Sequence, residues 1–263
     1  MNPGATPTVI AHRDESLLAK AVAARLVTRL VDVQAARGGA SVVLTGGGIG
    51  TRVLAQMAAA PARDAVDWRR LDIWWGDERY VPDGDPERNE TAARAALLDH
   101  VSVDRSRIHA MPASDGPDTG PEGAAERYAR ELRAAARPED HGPVPSFDVL
   151  MLGIGPDAHV ASLFPGMPAL YEEDRSVVAV RGAPKPPPTR LSLTFPAIRA
   201  AREVWIIASG EGKAAAVRMA LSDEAGTFQV PAAGARGRQS TLFLIDRAAA
   251  AQLPPGMTEG RRI

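Results

Sequence analysis

The segment Gly153-Ile154-Gly155-Pro156-Asp157-Ala158-His159 sets an imidazole two residues from a carboxylate, directly after the apolar run Phe147 to Leu152. That run reads as a buried strand, and open α/β sheets bind ligands beyond the carboxyl ends of their strands. Glycines there let the backbone approach a ligand, and an imidazole with an ordinary pKa near 6.5 is largely neutral at pH 7. His159 is therefore a candidate general base, with Asp157 beside it and Gly153 and Gly155 shaping the loop. Asp77-Glu78-Arg79 follows Trp74-Trp75-Gly76 at a second strand end, supplying two carboxylates and a guanidinium suited to a planar grip on phosphate or carboxylate. Thr45-Gly46-Gly47-Gly48 lies between a strand and a helix, where backbone N–H groups and a helix N-terminus can hold an anion such as phosphate. Arg190, after Pro186-Pro187-Pro188, and Lys213, at the start of a helix, complete the cations.

Other chemistries lack their residues. The glycine loop after Leu44 is not a nucleotide P-loop, because Thr51-Arg52-Val53 stands where Gly-Lys-Ser/Thr is needed. Gly153-x-Gly155-x-x-Ala158 with Asp174 downstream fits the loose dinucleotide pattern, but Pro156 and Phe164-Pro165-Gly166 leave no room for the long helix required, which argues against a nicotinamide-dependent oxidoreductase. No His-Glu-x-x-His or Gly-x-Ser-x-Gly occurs, and His12, His100, His109, His141 and His159 form no pair at metal-ligand spacing, so neither metal nor other cofactor is expected. A formal net charge of −1 provides no global field for nucleic acid or an anionic membrane, and Arg261-Arg262 is too short a basic tail to change that. A non-catalytic sugar-phosphate sensor would need a DNA-binding module, and no helix-turn-helix precedes the first strand. The absence of cysteine, of a signal sequence and of any run of 18 apolar residues fits a cytoplasmic protein.

The elements that must position these groups follow from periodicity. Thr8 to Ile10 reads as a strand, and Leu18, Val22, Leu26, Leu30 and Val33 share one face of a helix from Asp14 to Arg37, closed by Gly38-Gly39. Further strands are expected at Ser41–Leu44, Leu71–Trp75, Arg107–Met111, Asp148–Leu152, Ser176–Val180, Arg190–Phe195, Glu203–Ala208 and Ser240–Ile245. Helices are expected near Gly50–Ala60, Glu90–Leu98, Gly123–Ala136 and Gly212–Leu221. Alternating strands and helices predict one α/β domain over residues 1–263, with a Rossmann-like, mostly parallel sheet covered by helices on both faces. Asp77–Arg79 and the Pro-rich stretch Ala183–Pro188 are expected to be loops.

Taken together, Leu44-Thr45-Gly46-Gly47-Gly48, Trp75 to Pro82, Gly153 to Gly166 and Gly210-Glu211-Gly212-Lys213 resemble the 6-phosphogluconolactonase family, in order and across nearly the whole chain. That family shares its fold with the glucosamine-6-phosphate deaminases and is similar to the ribose-5-phosphate isomerases. The resemblance implies hydrolysis of a sugar phosphate lactone, 6-phospho-D-glucono-1,5-lactone, in the oxidative pentose phosphate pathway, without metal. Lactone hydrolysis needs a polarised water, so His159 is expected to take a proton from water attacking C1 and return it to the ring oxygen, with Asp157 or Asp77 orienting the imidazole or the sugar hydroxyls. The oxyanion is expected to meet backbone N–H groups or Arg79. The phosphate is expected on Thr45 to Gly48 with Arg190 and Lys213, and Glu78, Gly153 and Gly155 are expected to contact substrate. Departures from the family pattern are Ala158 where Gly is usual, Val160 for Thr, Gly48-Ile49 in the glycine loop, and Arg88 before Asn89. A left-handed backbone at Ala158 would cost about 1 kcal/mol. The competing reading is a deaminase or aldose–ketose isomerase; the deaminases carry a Glu five residues after the His, where this chain has Phe164.

Overall fold

The computed structural model describes residues 6–140, 142–222, 224 and 226–257; His141 and the basic tail Arg261-Arg262 lie outside them. Nine strands are described: β1 (Thr8–His12), β2 (Ala40–Leu44), β3 (Leu71–Trp75), β4 (Asp77–Arg79), β5 (Val149–Gly153), β6 (Val177–Val180), β7 (Arg190–Leu193), β8 (Glu203–Ala208) and β9 (Ser240–Asp246). The α-helices are α1 (Glu15–Arg37), α2 (Gly47–Ala59), α3 (Asn89–Ala96), α4 (Gly120–Ala135), α5 (Phe195–Arg199), α6 (Ala214–Ala220) and α7 (Pro231–Gly234). Helix α1 starts where the Asp14 side chain accepts the Leu17 N–H and stops at Gly38, whose φ of 77° suits glycine. Among the described residues no helix is long and apolar enough to cross a membrane.

Six strands form a wholly parallel sheet in the order β1-β9-β8-β5-β2-β3. Both faces of its middle strands are covered, so β5 reads as a continuous apolar run instead of an alternating one. Val42, Leu44 and Ile73 pack toward Leu26 and Leu30 of α1 and Leu54 and Met57 of α2, while Trp74 meets Tyr128 of α4 and Phe147. From β2 the chain steps outward to β3, whereas β5, β8 and β9 step the other way. The strand order therefore reverses between β2 and β5, which opens a crevice at their carboxyl ends.

Two expectations are corrected. Asp77–Arg79 is not a loop but a strand, and with β7 and β6 it forms a separate antiparallel sheet, β4-β7-β6, standing over the carboxyl edge of β3. Arg107–Met111 is not a strand: residues Arg105–Arg107 form a turn capped by Asp104, and pairing with β3 is limited to one bridge, Ile108 to Ile73, and the His109 N–H donating to the Ile73 carbonyl. Pro112, which has no N–H, follows directly, and the Met111 carbonyl is taken by the Arg88 side chain.

Candidate active site

The crevice between β2 and β5 has about 240 Å³ of room and is bordered by Thr45, Gly46 and Gly47 on one side and by Gly153, Gly155 and His159 on the other. Asp77 and Arg79 of β4, Asn89, Lys185, Arg190 and Lys213 close it. Most of the residues proposed from the sequence thus converge on one cleft; Gly48, Glu78 and Asp157 are not on its wall, Asp157 reaching it through His159.

His159 is held by its own loop. Gly155 N–H donates to the His159 carbonyl at 2.9 Å, and Ala158 N–H to the Gly155 carbonyl at 2.9 Å. A Cβ on Gly155 would lie 2.0 Å from His159 Nδ1, so the imidazole occupies space that any other residue would fill. Ala158 has a φ of 63°, the left-handed conformation anticipated for the position where glycine is usual, and Ala161 has a φ of 50°. His159 Nδ1 and Asp157 Oδ1 are 2.5 Å apart. Burial would raise the Asp157 carboxyl, but the charge and hydrogen bond of His159 outweigh it and hold it below the usual carboxylate range. An ionised Asp157 accepts only, so Nδ1 carries the proton and Nε2 keeps its lone pair. Burial also pushes the imidazole below its ordinary pKa, against the opposing pull of Asp157. Phe164 covers one side of the ring, with centroids 4.3 Å apart.

Of the two carboxylates that the sequence left open as the orienting group, Asp157 touches the imidazole. Asp77 instead accepts from Ser162 Oγ at 2.8 Å, while the Asn89 side-chain amide donates to the Asp77 carbonyl at 2.8 Å. Asn89 also lies where a Cβ on Gly46 would be, 1.8 Å from its Oδ1, so the glycine loop and β4 interlock only with glycine at 46.

Glu78 is corrected from a substrate contact to a structural group. It is fully buried, and its carboxylate accepts the N–H groups of Arg79, Asn89 and Glu90 at 2.9, 2.6 and 2.9 Å. It thereby caps α3 and lies near Arg88, itself buried. Burial pushes the Glu78 carboxyl up to about 7, opposed by Arg88 and the three N–H groups.

Four cations face the cleft. Arg79 and Arg190 are direct partners across β4 and β7, and their repulsion is offset in part by Glu87, 3.8 Å from Arg79, and by Asp77. Arg79 donates to the Glu87 carbonyl, while its Nε–H is buried with no partner among the described residues. Arg190 donates to the carbonyls of Lys185, Pro186 and Pro187 at 3.0, 3.1 and 3.1 Å, so much of its guanidinium fixes the Pro-rich loop. Lys185 sits on that loop and was missed in the sequence reading. Its signal was scarcity: Lys20, Lys185 and Lys213 are the chain's lysines, and the other such cations are all arginine. Burial and the neighbouring Lys185 charge lower the Lys213 ammonium below the usual lysine value. Helix α2 begins at Gly47, and its first N–H groups have no intrahelical partners. A helix N-terminus flanked by crowded cations is a site for a dianion.

A family model described as glucosamine-6-phosphate isomerases/6-phosphogluconolactonase matches residues 13–244. A 6-phosphogluconolactonase of Streptomyces coelicolor is 63% identical over 250 residues, covering 95% of this chain and 95% of that protein. One from Mycobacterium tuberculosis is 50% identical over 242 residues, covering 92% and 96%. The structure of 6-phosphogluconolactonase from Trypanosoma brucei superimposes with a TM-score of 0.76 at 27% identity, over 94% of this chain and 99% of that one.

Proposed function

Because the chain belongs to the glucosamine-6-phosphate isomerase/6-phosphogluconolactonase family, we infer that it hydrolyses 6-phospho-D-glucono-1,5-lactone to 6-phosphogluconate, the second oxidative step of the pentose phosphate pathway, with His159 as the general base. The observation that carries the base assignment is the Asp157–His159 pair, which leaves a neutral Nε2 at the mouth of a cation-lined cleft.

A lactone is an activated ester, so its hydrolysis needs a deprotonated water and a stabilised oxyanion. Nε2 takes the proton as water adds to C1, and Asp157 stabilises the imidazolium that results. Collapse of the tetrahedral intermediate breaks the bond from C1 to the ring oxygen, and the imidazolium returns the proton to that oxygen. Arg79, whose side chain borders the cleft, is the proposed oxyanion partner. The phosphate is assigned to the start of α2 with Lys213 and Lys185. Lysines act there as point charges that can follow a tetrahedral dianion without a fixed fork geometry. Arg190 is reassigned chiefly to shaping the loop that carries Lys185. Phe164 against the imidazole favours hydrolysis over the deaminase chemistry, since a phenyl ring relays no proton.

The test is a pH-stat assay of the full chain on freshly generated 6-phosphogluconolactone. Acid release far above the spontaneous rate is expected. A rate equal to the spontaneous one overturns the assignment.

A further inference from the structure

At the opposite edge of the parallel sheet, where β2, β3, β5 and β8 begin, lies a second cleft of about 660 Å³, larger than the one that holds His159. Five arginines border it: Arg37 at the end of α1, Arg70, Arg107, Arg137 and Arg202. Glu139 is exposed at the rim with no partner among the described residues, but the acids further in have their oxygens occupied. Asp148 accepts from Arg37 and from the Ser41 N–H at 2.9 Å, Asp72 from Arg107 at 2.9 Å, and Asp140 from the N–H groups of Arg137 and Ser146. Arg137 is exposed, and its guanidinium makes no hydrogen bond or ion pair among the described residues. Arg202 Nε is buried without a hydrogen bond among the described residues, in a loose ion pair 3.6 Å from an Asp148 oxygen.

Trp74 also borders this cleft. Its side chain is 1% exposed, and its indole N–H has no partner among the described residues. A buried donor left unmade is costly, at about 1–3 kcal/mol, and a ligand oxygen would satisfy it. The indole is held in place by packing. His109 stacks on it at 3.7 Å with an interplanar angle of 6°, and Glu131 at 2.7 Å from His109 Nδ1 holds the imidazole in turn.

We propose that this cleft binds a phosphate-bearing small molecule, gripped by the guanidinia of Arg37, Arg137 and Arg202 and by the indole N–H of Trp74. Spare guanidinium donors and an orphaned indole donor around one cleft suit an acceptor-rich anion, which brings charge and oxygen lone pairs together. The site is separate from the lactone cleft, since the two lie at opposite ends of the same strands.

Isothermal titration of the full-length protein with inorganic pyrophosphate tests this. Two binding events are expected. One disappears in the Lys185→Ala, Lys213→Ala double variant, and the other persists. Trp74→Phe, which keeps the ring and removes the donor, should weaken the persistent event about tenfold and leave kcat and KM for the lactone unchanged. Arg137→Gln, at an exposed position that cannot compromise folding, should weaken it comparably and decides the matter if Trp74→Phe lowers the melting temperature. A single event abolished in the double lysine variant overturns the proposal. So does a persistent event indifferent to both Trp74→Phe and Arg137→Gln, which marks adsorption to scattered surface arginines.

Discussion

The imidazole at 159 has its two nitrogens assigned by one contact: Asp157 takes Nδ1–H and leaves Nε2 to act. Removing a general base costs about 10²–10⁴ in rate, so His159→Ala should lose at least ~100-fold in kcat while circular dichroism and melting stay those of a folded chain. Near-normal turnover would remove the residue from the mechanism. The base must be neutral, and burial sets its pKa below the ordinary value, so kcat/KM should hold steady near neutral pH and fall only on the acid side of 6.5. Asp157→Asn removes the pull that partly offsets burial. The acid limb should therefore move to still lower pH even as kcat drops, and a limb that moves upward would contradict the assignment. The same shift bears on folding. The unfolded chain takes up the His159 proton near 6.5 and the native chain only at lower pH, so this group withdraws stability as pH falls through that window.

At the level of elements, the loop after β5 and the three-residue strand β4 decide what faces substrate. Gly155→Ala sets a methyl where the imidazole lies, so a kcat loss comparable to that of His159→Ala is expected in a chain that still folds, measured by parallel assay and thermal melting. Glu78→Ala should do the reverse. It strips three N–H groups of their acceptor beside buried Arg88 and should destabilise by about 3 kcal/mol in urea titration. His159 was legible as a candidate base because glycines and an imidazole follow an apolar strand, but its partner was not, since Asp157 and Asp77 stand equally near in type and only the fold separates them. The role of Glu78 was not legible, because it depends on recognising β4 as a strand. Once Asp77–Arg79 is extended, its side chains alternate, sending Asp77 and Arg79 to the cleft and Glu78 behind it. A strand of three residues has too short a pattern to announce itself. The second sheet was hidden for the same reason, since β6 and β7 look like any other apolar runs until their antiparallel partner is known. Lys185 escaped because proline-rich surroundings point to an exposed crossing, and nothing in the residue types tells that Arg190, three to five residues on, gathers the carbonyls of 185–187 and folds the stretch back onto the cleft.

Across the whole molecule, the reversal of strand order between β2 and β5 brings to the glycine loop two groups that lie more than a hundred residues further along the chain: the base and, from the end of β8, Lys213. Their shared purpose is charge matching. Lys213→Ala should raise KM for the phosphorylated lactone more than it lowers kcat, as expected for a contact made equally in ground and transition states, and an unchanged KM would exclude it from the site. Bound product should also stabilise the fold, by about 2.7 kcal/mol at a hundredfold excess over Kd, in a thermal-shift experiment whose response is lost when both cleft lysines are replaced. The facing guanidinia of Arg79 and Arg190 extend this point. Glu87 and Asp77 already offset part of the guanidinia's mutual repulsion and an arriving anion offsets more, so the small antiparallel sheet should be tighter in the occupied enzyme than in the vacant one. Amide hydrogen exchange along 77–79 and 190–193 should therefore slow once product binds, making the breathing of this sheet a gauge of occupancy.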